Sequence, residues 1–300
     1  MTYNLNLNIP SKITKIESDL LNQKQVSVFI KRDDLIDPFI SGNKWRKLKY
    51  NFQYAKLKGY HTILSYGGAY SNHLHALSYA CSKLGFNSVG IVRGFQQIES
   101  NPTLTFCQEN HMQLYYLDRS EYRHNKYSKK TLDYFRKIFK SFYMVPEGGK
   151  NELGVRGCEE ILSEVDFDFD YVCSPVGTGC TAAGLIRSMC NNKRFLGFVP
   201  FKKVIEQKNS IMKFCHPDDY NNWNLISDIH FGGFGKINNN LVKFIQQFKS
   251  SYSIGLDLVY MGKLFYSLFN LIGQNHFPKN TNILVLHTGG LQGLKGFDLY

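Results

Sequence analysis

No Cys-x-x-Cys pair occurs in the 300 residues, and the seven cysteines, at 81, 107, 158, 173, 180, 190 and 215, are odd in number and scattered. That spacing excludes a zinc site of the usual kind and a disulfide framework, and it makes a reducing cytoplasm the expected setting. No apolar run approaches the roughly 18 residues of a membrane span. The N-terminal segment lacks the apolar core and small-residue cleavage site of a secretory signal. A Gly-x-Ser-x-Gly elbow, a lysine-bearing phosphate loop and a full Gly-x-Gly-x-x-Gly fingerprint are all missing, which weakens the hydrolase, nucleotide triphosphate and dinucleotide readings. His73 and His75 are two apart on an expected helix, so they diverge from one face and no metal site is expected.

What is present is a sizeable core. Hydrophobic residues make up 43% and aromatic residues 15% of the chain, enough to argue against disorder. The formal charge is +12, densest over 123–140. There Leu132, Phe135, Ile138 and Phe139 recur at helical spacing, and the segment reads as a packed helix with a solvated basic face. No nucleic-acid module accompanies it, so neither nucleic acid nor a membrane is an expected partner.

Strand-like and helix-like segments alternate. Strands are expected over 26–34, 62–68, 88–94, 112–117, 142–149, 170–175, 194–201 and 281–286. Helices are expected over 44–59, 71–85, 101–110, 151–165, 181–192 and about 261–273, and the segment 203–207 continues the alternation. The Asn-rich stretches 219–224 and 236–240 read as loops. The pattern implies an α/β fold with open parallel sheets in two lobes and a cleft between them. In such folds ligands sit at the carboxyl ends of strands, beside helix N-termini.

Five segments carry chemistry. Ser41-Gly42-Asn43-Lys44-Trp45-Arg46-Lys47-Leu48 places Lys44 behind a flexible corner at a helix mouth, where its amine can join an aldehyde cofactor. The corner 67–78 puts Ser71 near an N-cap, with the amides of residues 71–73 forming a carboxylate cradle and Asn72 able to bind a hydroxyl. Gly177-Thr178-Gly179-Cys180-Thr181 follows an apolar strand and opens a helix, a turn that suits a lone phosphate monoester. Tyr260 precedes another helix and could exchange a proton. Thr288 offers a hydroxyl at the end of the strand 281–286, where a heterocycle can be held.

Together these segments resemble the 1-aminocyclopropane-1-carboxylate deaminase/D-cysteine desulfhydrase group of the tryptophan-synthase-β-like, pyridoxal-phosphate enzymes. The matching motifs, in family order, are KRDDLIDPFISGNKWRKL (31–48), YGGAYSNH (66–73), VPEGGKNELGVRGCEEI (145–161), VGTGCTAAGL (176–185), LDLVYMGK (256–263) and HTGG (287–290). The resemblance implies a large cofactor-binding domain from 1–48 and 145–300, a small α/β domain from 49–144, and a homodimer. It implies that Lys44 is the Schiff-base lysine and the base for Cα proton transfer, and that residues 177–181 are the phosphate cup. Asn72 would hold the pyridine hydroxyl, Ser71, Asn72 and His73 would hold the substrate, and Ser71 would also be a catalytic residue beside Lys44 and Tyr260. Tyr260 would be the active-site tyrosine, and Thr288 would face the pyridine nitrogen.

The deaminases proper carry a carboxylate directly after that tyrosine, where this chain has Met261. A neutral Thr288 hydroxyl is a poorer partner for a protonated pyridine, so a good leaving group is favoured over a strained carbon bond. The expected reaction is therefore β-elimination from a small amino acid, D-cysteine to pyruvate, sulfide and ammonia. Ring-opening deamination, racemisation and dehydration are alternatives on the same cofactor. A basic binding protein on a degenerate fold is the alternative without chemistry.

Overall fold

The computed structural model describes residues 5–95, 101–202, 204–216 and 220–296. In chain order the first half runs β1 (Ile13–Ile16), α1 (Asp19–Lys24), β2 (Val26–Lys31), α2 (Lys44–Leu57), β3 (Thr62–Gly67), α3 (Asn72–Leu84), β4 (Asn87–Arg93), α4 (Pro102–Glu109), β5 (Met112–Leu117), α5 (Arg119–Asn125), α6 (Lys129–Phe139) and β6 (Tyr143–Met144). The second half runs α7 (Glu152–Glu159), β7 (Tyr171–Pro175), α8 (Cys180–Ser188), β8 (Arg194–Phe198), α9 (Val204–Met212), β9 (Trp223–Ile226), α10 (Asn239–Tyr252), α11 (Met261–Gly273) and β10 (Thr281–Leu286).

These strands make two sheets. The larger has the order β1-β2-β10-β7-β8-β9 and the smaller β5-β4-β3-β6. Every pairing is parallel except β1 with β2, which is antiparallel. Burial of both faces explains why the central strands read as unbroken apolar runs, alternate side chains entering different cores. Along β10, Ile283 and Val285 enter the core shared with α10 and α11, while Leu284 and Leu286 enter the core shared with α7 and α8. In the smaller sheet Ile63 faces α2 and α3, whereas Leu64 and Tyr66 face Tyr122 of α5 and Phe135 of α6.

Helix α2 links the two sheets. Its Trp45, Leu48, Phe52 and Ala55 belong to the smaller sheet's core. Its other side lies so close to α7 that a Cβ on Gly157 would fall 1.8 Å from the Arg46 carbonyl oxygen. Below it is a buried ionic network. Lys31 Nζ meets Glu164 Oε2 at 2.6 Å and Arg46 Nε meets Asp33 Oδ2 at 3.2 Å, while Ser11 Oγ donates to Asp33 Oδ1 at 2.6 Å. Each buried charge has a partner, as burial away from water requires. The network fixes the start of the helix that carries Lys44.

Several expectations change. The segment 123–140 is two helices, because Ser128 accepts the Thr131 amide and starts α6 afresh. Phe135 is buried, but Ile138 faces outward. The strand expected over 142–149 is confined to Tyr143–Met144 and gives way at Pro146 to a 3-10 turn. Helix α10 begins inside the Asn-rich stretch read as a loop, since Asn238 is its N-cap and accepts the Leu241 amide at 3.0 Å. Strands β1 and β9 and helix α1 add to the expected set. Residues 203 and 219, which begin two of the expected segments, lie outside the described residues.

Candidate active site

The carboxyl ends of β3, β4, β7 and β10 open on one cleft of about 2190 Å³ between the sheets. Lys44, Ser71, Asn72, His73, Gly177, Thr178, Gly179, Thr181, Tyr260 and Thr288 all line it. Cys180 does not. Its side chain turns inward, with Sγ 3.4 Å from the Gly149 carbonyl oxygen, so only its backbone can serve the cup.

Lys44 is the first residue of α2, half-buried, with its Nζ donating to Asn43 Oδ1 at 2.6 Å. Burial first, then the neighbouring Lys47 cation, lowers its pKa from 10.5 to about 7. The positive end of the helix acts in the same direction, because no acidic residue occupies the first turn. The amine is thus available as a neutral nucleophile and base near neutrality. Asn43 also donates from Nδ2 to Thr181 Oγ1 at 2.8 Å, so one side chain ties the lysine to the glycine turn.

That turn is built to be empty of side chains. Gly179 has φ +84°, and a Cβ there would lie 2.9 Å from Ser210 Oγ. A Cβ on Gly177 would lie 3.3 Å from the Tyr260 hydroxyl. Helix α8 starts from Gly179 with no side-chain cap. The buried Thr178 Oγ1 has no hydrogen-bond partner among the described residues. Free amides and an orphan hydroxyl at a helix mouth fit a phosphate group.

The opposite wall begins with α3. Ser71 is its N-cap, and Oγ accepts the Leu74 amide at 3.2 Å. Asn72 accepts a short hydrogen bond from Gln292 and so contacts the segment that follows β10. His73 Nε2 lies 2.8 Å from Ser65 Oγ, whose own proton goes to the Val145 carbonyl at 2.7 Å. Nε2 is therefore the protonated nitrogen, and the buried Nδ1 is an acceptor without a partner among the described residues. Burial, then the Lys44 and Lys47 cations, pushes the His73 pKa down to about 3, so the ring is neutral.

At the far end Asp257 organises the third corner. Its carboxylate accepts the amides of Val259, Tyr260 and Met261 at 2.8, 2.7 and 2.9 Å. Burial raises its pKa despite those three bonds. Burial, then the charges of Asp257 and Glu147, raises the Tyr260 pKa, so the phenol keeps its proton. The Met261 sulfur lies 3.5 Å from both the Thr288 amide and its hydroxyl. Gly42, with φ +70°, passes directly under Thr288, where a Cβ would fall 1.8 Å from the carbonyl oxygen.

Three cleft residues were not singled out by the sequence reading. Asn43 lay within the octet but was given no role. Lys47 is three residues after Lys44, a helical spacing that puts both on one face, and it is buried in the cleft wall. Asp257 stands three residues before Tyr260, an Asx-turn signal that could have found it. Among the described residues no cluster of three metal ligands occurs, and His75 stacks on Phe106 with centroids 3.9 Å apart.

A cleft at the strand ends, lined by a glycine turn that suits a phosphate and by a lysine of lowered pKa, fits a pyridoxal-phosphate enzyme of the open-sheet type. The profile of the pyridoxal-phosphate-dependent enzyme family matches residues 11–196, and the chain belongs to that family. The bifunctional D-cysteine desulfhydrase/1-aminocyclopropane-1-carboxylate deaminase of Arabidopsis thaliana mitochondria is 28% identical over 89% of this chain and 73% of its own length. The D-cysteine desulfhydrase of Serratia proteamaculans is 26% identical over 92% of this chain and 89% of its own. Among solved structures, an ACC deaminase homologue superposes with a TM-score of 0.80 at 27% identity, covering 95% of this chain and 90% of that one. The chain is a pyridoxal-phosphate-dependent enzyme of the deaminase/desulfhydrase group, and among the described residues no helix is long and apolar enough to cross a membrane.

Proposed function

We propose that this enzyme catalyses β-elimination from a small amino acid, with D-cysteine giving pyruvate, sulfide and ammonia. The observation that carries the reading is Lys44, an amine with its pKa near 7, tied through Asn43 to the phosphate turn. When bound, the cofactor supplies an electron sink for the bonds at Cα. Lys44 takes the α-proton once its amine is free. The amides opening α8, the Thr178 hydroxyl and the backbone of Cys180 would hold the phosphate, with Gly177 and Gly179 leaving room for it and Thr181 positioned by Asn43. Asn72 would hold the ring hydroxyl and Thr288 the ring nitrogen. Ser71, Asn72 and His73 would hold the substrate carboxylate through the first amides of α3. Tyr260, protonated and buried beside the glycine turn, would steady a leaving thiolate by donating a hydrogen bond to it.

Met261 supports elimination over ring opening. Its thioether lies fully buried behind Thr288, 3.5 Å from that hydroxyl, so of this pair of side chains only the Thr288 hydroxyl lines the cleft toward the ring nitrogen. We also take residues 1–48 with 145–300 as the cofactor lobe and 49–144 as the smaller lobe, acting as a homodimer in the cytoplasm. The two sheets support this division, although α2 crosses its first boundary.

The test is a substrate panel of D-cysteine, L-cysteine and 1-aminocyclopropane-1-carboxylate, read as 2-oxo acid and sulfide. The expected result is D-cysteine turnover that is abolished in Lys44→Ala together with the visible cofactor absorption. Sulfide release no faster than in Lys44→Ala would sink the desulfhydrase reading, and 2-oxobutanoate as the main product would replace it with ring opening.

A further inference from the structure

Lys263 is 3% exposed, yet the reaction gives it no task. It sits among Phe198, Val199, Ile226 and Leu264, surroundings in which an ammonium is costly to hold. Burial pushes its pKa down from 10.5 to about 8, and the Asp257 carboxylate offsets only part of that shift. Both of its hydrogen bonds go to a single loop: Nζ donates to the His230 carbonyl at 3.0 Å and to the Gly233 carbonyl at 2.7 Å.

That loop, 230–235, turns largely on itself. The Gly232 amide donates to His230 Nδ1 and the Gly233 amide to the His230 carbonyl. Phe231, Gly232, Gly233 and Gly235 all have positive φ, and a Cβ on Gly233 or Gly235, the two neighbours of Phe234, would meet nothing within 4 Å. Phe234 between them is 52% exposed and lines the cleft. Its ring stacks on Phe201 with centroids 5.3 Å apart and meets Tyr260 edge-on at 6.0 Å. At the base of the loop, Phe231 meets Tyr266 edge-on at 5.1 Å. Tyr260, Lys263 and Tyr266 are spaced by three along the start of α11, so one helix face carries the ring contacts and the two hydrogen bonds.

We propose that Lys263 is a positioning residue: by pinning loop 230–235 to α11 it holds the Phe234 ring against Tyr260 and keeps water from that end of the cleft. The kinetic consequence rests on the reading of Tyr260 as hydrogen-bond donor to the leaving group. Such a donor acts more strongly on a developing anion where water is excluded, so a loosened ring costs rate rather than binding. An uncharged side chain of similar length would pack among the apolar neighbours of Lys263 but would leave the two carbonyls without their charged donor.

The experiment compares the wild-type holoenzyme with Lys263→Met, Phe234→Ala and the double variant. Methionine suits the apolar surroundings, and the denaturant midpoint checks that each variant folds. In the first arm, native digestion with chymotrypsin is read by mass for cuts after Phe231 and Phe234. Cleavage in Lys263→Met is roughly tenfold faster than in wild type, an order of magnitude set by the loss of charge-assisted hydrogen bonds. In the second arm, kcat/KM for D-cysteine falls about tenfold in each single variant, carried by kcat, and the double variant is no worse than either. Losses that multiply in the double variant would show that Lys263 acts apart from Phe234, which overturns the proposal. Cleavage of Lys263→Met at the wild-type rate overturns it too. A wild-type enzyme inert toward D-cysteine would remove the elimination reading, and the cleavage arm would still decide whether Lys263 pins the loop.

Discussion

Helices α3 and α8 both begin at glycine-rich corners after a strand and both open on the cleft, yet their first turns are finished differently. Ser71 closes α3 with its own hydroxyl, whereas Gly179 leaves α8 with no side-chain cap. Surface helices of this chain follow the α3 pattern: Ser18, Asn101, Asp118, Ser128, Asn151 and Asn238 each accept an amide of the helix they start. A helix that forgoes a cap gives up about 1 kcal/mol. The uncapped starts of α2 and α8 meet at the Asn43–Thr181 hydrogen bond, so the missing stabilisation is concentrated where an anion and a reactive amine are to be held.

If the uncapped corners are rigid by design, filling them should be the most damaging change. Gly42→Ala forces a Cβ into the Thr288 carbonyl at a positive φ. Strain and overpacking together predict a loss of about 4 kcal/mol, read as the denaturant midpoint of the apo-protein. Gly179→Ala is milder, because Ser210 Oγ at 2.9 Å ends a short side chain that can turn away. It should cost about 2 kcal/mol in stability and weaken cofactor binding more than tenfold, an order of magnitude set by the loss of charge-assisted bonds. Equal cofactor affinity in Gly179→Ala and wild type would mean that the phosphate is held elsewhere.

The lysine corner makes a prediction in pH. A neutral amine is the form that reacts with an aldehyde, and Lys44 loses its proton near pH 7 rather than 10.5. The rate of cofactor recombination with apo-protein should rise from pH 6 and level off by about pH 8. A lysine of ordinary pKa would give a rate still rising at pH 9. The same shift has a stability consequence. Between about 7 and 10.5 the unfolded chain binds a proton that the folded apo-protein has released, so the fold gains stability as pH rises through that window. Lys44→Met should flatten both profiles.

The central strands were legible because both of their faces are buried, which leaves continuous apolar runs such as 281–286. Helices α3 and α11 were legible from their period. Helix α10 was not, because its N-cap sits at the end of an Asn-rich stretch whose composition alone reads as a loop. Strand β1 is four residues long with one buried side chain, too short for alternation to register. In the site, residue types and order located the lysine, the glycine turn and the tyrosine. What stayed hidden were the Asn43 bridge to Thr181 and the direction of the Cys180 side chain. The first depends on packing between residues more than a hundred apart and the second on where a side chain points, neither of which a spacing pattern encodes, whereas Asp257 closing the third corner is a local turn that the spacing before Tyr260 carries.

The smallest expected effect separates the two uses of a capping hydroxyl. Asn238 caps α10 and faces no ligand, so Asn238→Ala should cost about 1 kcal/mol and leave kcat/KM unchanged. Ser71→Ala removes a cap of the same kind on α3 and should lose a similar amount of stability, about 1 kcal/mol. If Ser71 is only a cap, Ser71→Thr restores both stability and activity, because a threonine hydroxyl accepts the same amide. If its hydroxyl also turns to the substrate, Ser71→Thr restores stability but not kcat, since the added methyl occupies the space beside Gly67, where a Cβ would already lie 2.5 Å from Ser71 Oγ. The paired thermal and kinetic measurements on these three variants thus decide whether α3 gives up its cap during turnover.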